Sequence, residues 1–270
     1  MYIWLRCVML DRKSLGLLLY SSSQVWDGLE MVFTNEILDP ETYLFKTRRL
    51  LEIVRSRYGR GFSNALIVGC GSGREAEVIS DVFGCKVDGI DTNSHQFAAC
   101  DDLKIRLFAM DASELEFEDA SYDLVYSFHA IEHIQNLNKA MSEMRRVLRP
   151  NGAYCIGTPN KSRMIGYFGS STTLYKKVRW NLADLRMRVT GRWENALGAH
   201  AGFRREELLN LCLTTFGDAQ DVTDEYYLRL YADKIKLINA LISLNLSRIA
   251  FPAVYAVGRK STPITSTIEK

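Results

Sequence analysis

The feature that most constrains this chain of 270 residues is a glycine-rich run between an apolar segment and an amphipathic one. The apolar segment, 65–68, predicts a short buried strand, and the residues after Gly73 have helical spacing. Glycines at 69, 71 and 73 permit backbone angles that a Cβ disfavours, and they let a ligand approach the bare main chain. A strand, a glycine turn and a helix in this order predict a ligand site at one edge of a sheet.

The same alternation of apolar runs and helical patterns continues through much of the chain. Further strands are predicted over 86–90, 105–109, 122–128, 153–157, 219–227 and 253–257. Helices are predicted over 76–82, after Asn93, and over 137–148, 174–189, 204–216 and 228–246. Strands separated by helices predict an α/β fold with a doubly wound, mostly parallel sheet.

The spacing of the glycines distinguishes between ligands. A dinucleotide-binding loop has the pattern G-x-G-x-x-G, with a pyrophosphate at the helix N-terminus. Here the pattern is G-x-G-x-G, and Arg74 and Glu75 follow it. An acidic residue at that helix end disfavours a phosphate. The loop therefore favours a cofactor without phosphates, and a nicotinamide oxidoreductase is the weaker hypothesis.

Two aspartates follow the next two predicted strands. Asp91 ends the second strand, where a carboxylate accepts hydrogen bonds from both hydroxyls of a ribose. Asp111 follows the third strand, where a carboxylate accepts from the amine of an adenine while the N–H of Ala112 donates to the ring. The alternative is that each aspartate only caps a helix or a turn.

Four segments together resemble the class I S-adenosylmethionine-dependent methyltransferases. They are ALIVGCGSGREAEVI, VDGIDTNS, AMDASELEFEDASYDLVYSFHAIEHI and MRRVLRPNGAYCIGTPN, which span about 62–160 in this order. The resemblance implies a seven-stranded, mostly parallel sheet whose last strand is antiparallel, with S-adenosylmethionine as the cofactor. It implies cofactor-binding roles for Gly69, Gly71, Gly73, Asp91, Asp111, Ala112, Ser127 and Phe128.

Histidines are the candidates for a general base, which a hydroxyl acceptor needs more than an acceptor that is already nucleophilic. His129 follows the fourth strand, at the edge where ligands bind in such sheets, and His200 lies between small residues before a later helix. Both are predicted catalytic residues. His133 and His95 are interpreted as structural and surface residues.

A basic stretch over 161–205 holds ten Lys and Arg against two Asp and Glu, although the net charge of the chain is only +2. Apolar residues at 174, 178, 182, 185 and 189 form one stripe of a helix, and the charges lie off that stripe. Segment 161–203 is interpreted as a helical insertion after strand five, a lid over the methyl acceptor. An anionic small molecule or glycan precursor, RNA, an anionic membrane surface, or no partner at all remain as explanations.

The domain bounds, the N-terminal segment and the cysteines support further predictions. Segment 1–61 is interpreted as a leader followed by helices on the core, and 62–270 as the methyltransferase domain. The apolar start is short and interrupted by Arg6, which fits a secretory signal poorly. The six cysteines have no zinc-binding spacing, so no metal site is expected. We expect these cysteines to be reduced thiols in a cytoplasmic protein.

The sequence therefore predicts a methyltransferase that moves a methyl group from S-adenosylmethionine to an oxygen or nitrogen of a small molecule or glycan precursor. A weak resemblance of the downstream part to methyltransferases of bacterial polysaccharide synthesis suggests the glycan. The alternatives are a non-catalytic cofactor-binding protein of the same fold and an RNA-directed methyltransferase.

Overall fold

The computed structural model describes residues 40–98, 102–164, 166, 173–197 and 201–261. The predicted leader, residues 1–39, lies outside the described residues. Within them, four cysteines are buried free thiols: Cys70, Cys85, Cys155 and Cys212.

A seven-stranded sheet forms the centre of the protein, with the strand order β3-β2-β1-β4-β5-β7-β6. The strands are β1 (Asn64–Val68), β2 (Lys86–Asp91), β3 (Ile105–Ala109), β4 (Tyr122–Phe128), β5 (Leu148–Pro159), β6 (Gln220–Asp221) and β7 (Ala253–Arg259). Strands β1 to β5 pair in parallel, whereas β7 runs antiparallel to β5 and to β6. The predicted fold class is confirmed.

Helices cover both faces of this sheet. They are α1 (Pro40–Tyr58), α2 (Arg74–Phe83), α3 (Leu137–Val147), α4 (Leu174–Val189), α5 (Arg205–Phe216), α6 (Thr223–Leu230), α7 (Ile235–Ser243) and α8 (Ser247–Ala250). Short 3-10 turns lie at Ser94–Gln96, Ile131–His133, Asn195–Leu197 and Ala232–Lys234.

Strand β1 shows how the apolar run builds two cores at once. Successive side chains of a strand point to opposite faces. Ala65 and Ile67 join the core that contains residues of α1, α2 and α6, whereas Leu66 and Val68 join the core that contains residues of α3 and α5. A continuous apolar run is therefore needed, because both faces of a parallel sheet are covered.

Three predicted elements differ from the structure. The strand predicted over 219–227 ends at Asp221, because the Asp221 carboxylate accepts from the Thr223 amide at 2.8 Å and starts helix α6. The helix predicted over 228–246 is broken by the turn Ala232–Lys234 and by Asn245, whose φ is +57°. Of the residues described between Asn93 and β3, only Ser94–Gln96 are helical, as a 3-10 turn that the Asn93 side chain does not cap.

Helix α4 has the predicted bounds, and the Thr173 side chain caps its start. No helix among the described residues is long and apolar enough to cross a membrane.

Candidate active site

The glycine loop between β1 and α2 has a left-handed backbone at all three glycines. The φ angles are +76° at Gly69, +51° at Gly71 and +84° at Gly73. A Cβ on Gly69 would lie 2.2 Å from Ala130 Cβ, and one on Gly73 would lie 2.5 Å from the side chain of Leu107. Glycine is therefore required at 69 and 73 by both conformation and packing.

Asp91 joins this loop to the end of β2. Its Oδ2 accepts from the Gly71 amide at 2.9 Å, and its Oδ1 accepts from the Asn93 amide at 2.9 Å. The side chain is partly exposed. The carboxylate thus shapes a turn, as the alternative interpretation held, and still has lone pairs for a ligand.

Asp111 lies at the same edge of the sheet. Strands β2 and β3 pair in parallel with Asp91 opposite Ala109, and Asp111 comes two residues later. The Asp111 Oδ1 accepts from the Ser113 amide at 2.7 Å, and this bond lowers the pKa of Asp111. Asp111 is exposed whereas Ala112 is buried, so a charged acceptor stands beside a small apolar surface.

Ser127 and Phe128 end β4 beside the loop. Ser127 is fully buried, and its hydroxyl donates to the Val68 carbonyl at 3.0 Å. The Phe128 ring stacks on Tyr255 with centroids 5.9 Å apart and meets the His129 ring edge-on at 4.2 Å. Ser127 thus supports the strand that leads into the glycine loop, while Phe128 forms part of the wall beside His129.

His129 is held in an unusual backbone conformation beside a buried carboxylate. Its φ is +52°, and its amide donates to the Gly157 carbonyl at 2.9 Å. The imidazole is 41% exposed, and its Nδ1 lies 3.5 Å from Oε1 of Glu132. A non-glycine residue in this region is strained, and such strain is concentrated at functional sites.

Glu132 carries a charge in the interior. Its side chain is fully buried, and Thr158 donates to its Oε2 at 3.0 Å. Its Oε1 has no hydrogen-bond partner at normal distance and lies between His129 Nδ1 and, at 4.0 Å, His133 Nε2. Burial alone would raise the pKa of Glu132, but the imidazoles of His129 and His133 outweigh it and lower this pKa.

The family model described as a methyltransferase domain matches residues 66–156, the segment that contains the glycine loop, both aspartates and His129. This match covers about a third of the chain, and over it the protein is similar to a methyltransferase domain.

Two curated relatives and one solved structure show what the chain is similar to. A protein of Mycolicibacterium smegmatis named "Probable S-adenosylmethionine-dependent methyltransferase" is 35% identical over 46% of this chain and 48% of its own length. A sterol 24-C-methyltransferase of Schizosaccharomyces pombe is 28% identical over 44% of this chain and 33% of its own. The plantazolicin methyltransferase BpumL, in complex with S-adenosylhomocysteine, shares the fold with a TM-score of 0.56 at 14% identity over 89% of each chain. The chain thus spans a third to a half of the length of these curated relatives.

Two glutamates of the matched segment have contacts that the sequence did not predict. Glu75 was taken as a charge facing the ligand, but it is buried, and its Oε1 accepts from Thr47 at 2.8 Å and Tyr126 at 3.1 Å. Glu132 was not singled out, although its position between two histidines is a signal that could have identified it.

The other predicted histidines differ in what the structure shows. His133 is half exposed in the 3-10 turn Ile131–His133. His200 lies outside the described residues and stays a prediction.

Proposed function

We propose that this protein transfers a methyl group from S-adenosylmethionine to an oxygen or nitrogen of a small molecule or glycan precursor. The observation that carries this proposal is the partly exposed imidazole of His129, whose Nδ1 lies 3.5 Å from the buried carboxylate of Glu132. Both residues directly follow β4, on the same edge of the sheet as the glycine loop.

The residues at this edge fit the cofactor. Its ribose hydroxyls and adenine amine are donors, and Asp91 and Asp111 supply carboxylate acceptors at neighbouring strand ends. Gly71 presents bare backbone whose amide is already fixed by Asp91, so the cradle is preorganised. When bound, S-adenosylmethionine supplies a methyl group on a positively charged sulfonium. Gly69, Gly73, Ala112, Ser127 and Phe128 complete the proposed cofactor site.

His129 is the proposed general base. It accepts the proton that a hydroxyl or ammonium acceptor loses, a contribution typically worth about 10²–10⁴ in rate. The Glu132 carboxylate lies 3.5 Å from Nδ1, so Nε2 is the nitrogen proposed to meet the acceptor, and the buried negative charge is placed to stabilise the imidazolium that forms. The remaining work is to align the acceptor with the methyl group and to exclude water. His200 is kept as a second proposed base.

The insertion 161–203 is the proposed acceptor lid. Two of its cations pair with its two acidic residues: Lys161 with Glu194 at 2.8 Å and Arg163 with Asp184 at 3.3 Å. The stretch 161–205 keeps an excess of eight cations, ten against two, which suits an anionic acceptor. The relative named for a sterol substrate supports a small-molecule acceptor as well.

Turnover on a panel of acceptors tests the proposal. Purified protein is incubated with S-adenosylmethionine and small alcohols, amines or sugar phosphates, and S-adenosylhomocysteine is quantified. We expect His129→Asn to lower kcat about 100-fold or more for a hydroxyl acceptor and to leave the affinity for S-adenosylhomocysteine unchanged.

The matched control is His95→Asn, which changes an exposed histidine in the turn Ser94–Gln96. A kcat of His129→Asn equal to wild type would remove His129 as the base. Tight binding of S-adenosylhomocysteine with no turnover on any acceptor would instead support the non-catalytic cofactor-binding protein.

A further inference from the structure

Helix α4 exposes the apolar stripe that an ordinary surface helix buries. Such helices bury their apolar stripe and expose their charges. In α4 the predicted stripe points outward instead, with exposed fractions from 49% at Leu185 to 80% at Val189. The exposed apolar and aromatic residues of α4 are Leu174, Tyr175, Val178, Leu182, Leu185 and Val189.

Specific contacts fix α4 in this orientation. Asn181 bonds twice to the backbone of Gly166, accepting from its amide at 2.7 Å and donating to its carbonyl at 3.2 Å. Asp184 pairs with Arg163, which is buried, and Trp180 is buried on the same side. Rolling the helix to bury its stripe would break these contacts and leave the guanidinium of Arg163 buried without this partner.

The far end of the inward face is held in the same way. The Arg188 guanidinium lies 4.2 Å above the Trp193 ring and donates to the carbonyls of Lys161 and Arg163. The outward stripe is therefore a property of the packed helix along its whole length.

A second exposed apolar patch lies in α7, α8 and the turn between them. Residues 235–249 expose five large apolar side chains. The Met164 amide donates to the Ile249 carbonyl at 2.8 Å, so the segment that holds α4 also contacts α8. Among the described residues, α4, residues 235–249 and Met164 account for twelve of the fifteen exposed large apolar or aromatic side chains.

Exposed cations predominate beside these patches. Arg179 and Arg186 are exposed on α4 beside the stripe, and the acidic residue of α4, Asp184, faces inward. Lys236 is exposed on α7, whereas Lys234 and Arg248 pair with Asp233 and Glu206. Apolar side chains fringed by cations are the pattern of helices that lie on anionic bilayers.

The two segments that carry the patches join the sheet at the edge that holds the candidate active site. The chain enters the α4 segment from the end of β5, and α8 leads directly into the start of β7. Those two strand ends pair, with Pro159 opposite Ala253. A surface that these patches contact therefore lies near the sheet edge that holds the proposed cofactor site.

We propose that α4 together with α7 and α8 is a docking surface for an anionic lipid bilayer. A second copy of the chain fits this surface less well, because a two-fold contact would place the same basic face on both sides of the interface. Bilayer headgroups offer the opposite charge, and the acyl region accepts the leucines and valines.

Sedimentation of the full chain with lipid vesicles tests the proposal. We expect binding to vesicles of phosphatidylcholine mixed with phosphatidylglycerol and little binding to phosphatidylcholine alone. The double variant Leu182→Ser/Leu185→Ser should weaken binding at least about tenfold, because it removes two apolar contacts with the bilayer. Arg179→Glu/Arg186→Glu should weaken it by a similar factor and abolish the preference for anionic lipid.

Matched controls are Leu213→Ser, an exposed leucine on α5, and Arg60→Glu, an exposed arginine before β1. Absence of wild-type binding to anionic vesicles, or unchanged binding by both double variants, overturns the proposal. A dimer in analytical ultracentrifugation that Leu182→Ser/Leu185→Ser dissociates, without vesicle binding, would assign the surface to a second copy. Vesicle binding does not depend on turnover, so this outcome is separate from that of the methyl-transfer assay.

Discussion

Strand β4 and helix α4 follow equally clear apolar patterns, yet the protein uses these patterns in opposite ways. In β4 the apolar side chains are buried, and Leu124 has no exposed surface. In α4 the apolar stripe faces outward, while Trp180, Asn181 and Asp184 make the inward contacts. Periodicity therefore predicts the type of element, whereas the buried face is decided by the partners that each side chain finds.

The largest expected effect is a difference in the loss of stability between a truncation in β4 and one in α4. We expect Leu124→Ala to lower the free energy of unfolding by about 2–5 kcal/mol, because it leaves a cavity between packed layers. Leu182→Ala, at an exposed position, should change it by less than about 0.5 kcal/mol. Urea unfolding followed by circular dichroism measures both. An equal loss in the two variants would show that the α4 stripe is buried in solution.

The next effect concerns the glycine loop. Gly71→Val should lower the affinity for S-adenosylhomocysteine about 100-fold or more, since the left-handed backbone alone costs a branched residue about 1–3 kcal/mol and the side chain occupies ligand space. Calorimetric titration measures the affinity. Gly61→Val is the control, because a Cβ there meets nothing within 4 Å. Normal binding by Gly71→Val would separate the loop from the cofactor.

A smaller loss should follow from removing the carboxylate at the end of β2. Asp91→Ala should weaken the binding of S-adenosylhomocysteine by about 1–3 kcal/mol, as two hydroxyls lose a charged acceptor. The control is Asp81→Ala, an exposed aspartate on α2 that pairs with Arg48. If both variants bind S-adenosylhomocysteine as tightly as wild type does, the role of Asp91 is limited to the turn that it stabilises through its bonds to Gly71 and Asn93.

The smallest expected effect is a pH dependence of the free energy of unfolding that comes from Asp123, on β4 of the sheet, and not from α4. Burial alone would raise the pKa of Asp123, but the Ser63 amide, Arg149 and the Asn64 amide outweigh it and lower this pKa. Its contribution to stability is therefore complete above the unfolded pKa of about 3.9 and is lost as the pH falls through the lower folded pKa.

Urea unfolding of Asp123→Asn across this acidic range measures that contribution. The variant should lose less stability than wild type as the pH falls from about 5 to 3, whereas Asp81→Asn should follow wild type. Parallel curves for Asp123→Asn and wild type would contradict the prediction.

The positions of the site residues could be predicted from sequence because parallel strands end at a shared edge. Glycines after β1 and aspartates after β2 and β3 are local signals, and the pairing of Asp91 with Ala109 brings them together. The strand predicted through Tyr226 and Tyr227 was wrong, since aromatic residues suit both strands and buried helix faces. Both tyrosines are buried on α6.

Features set by long-range packing could not be predicted. The burial of Glu132 depends on Thr158, which is distant in sequence and contributes its hydroxyl from β5. The outward stripe of α4 depends in the same way on Arg163, which precedes its partner Asp184 by 21 residues. No periodicity along the chain encodes such partners.

The insertion that carries α4 begins and ends at neighbouring points. The Lys161 amide donates to the Phe203 carbonyl at 3.0 Å, and the Phe203 amide donates to the Pro159 carbonyl at 3.0 Å. A segment with adjoining ends can be lengthened, shortened or exchanged at little entropic cost to the rest of the chain. Segment 161–202 can therefore change in length and sequence during evolution while the strand registers of the sheet stay fixed. Such changes would alter the proposed acceptor lid and docking surface without altering the proposed cofactor site.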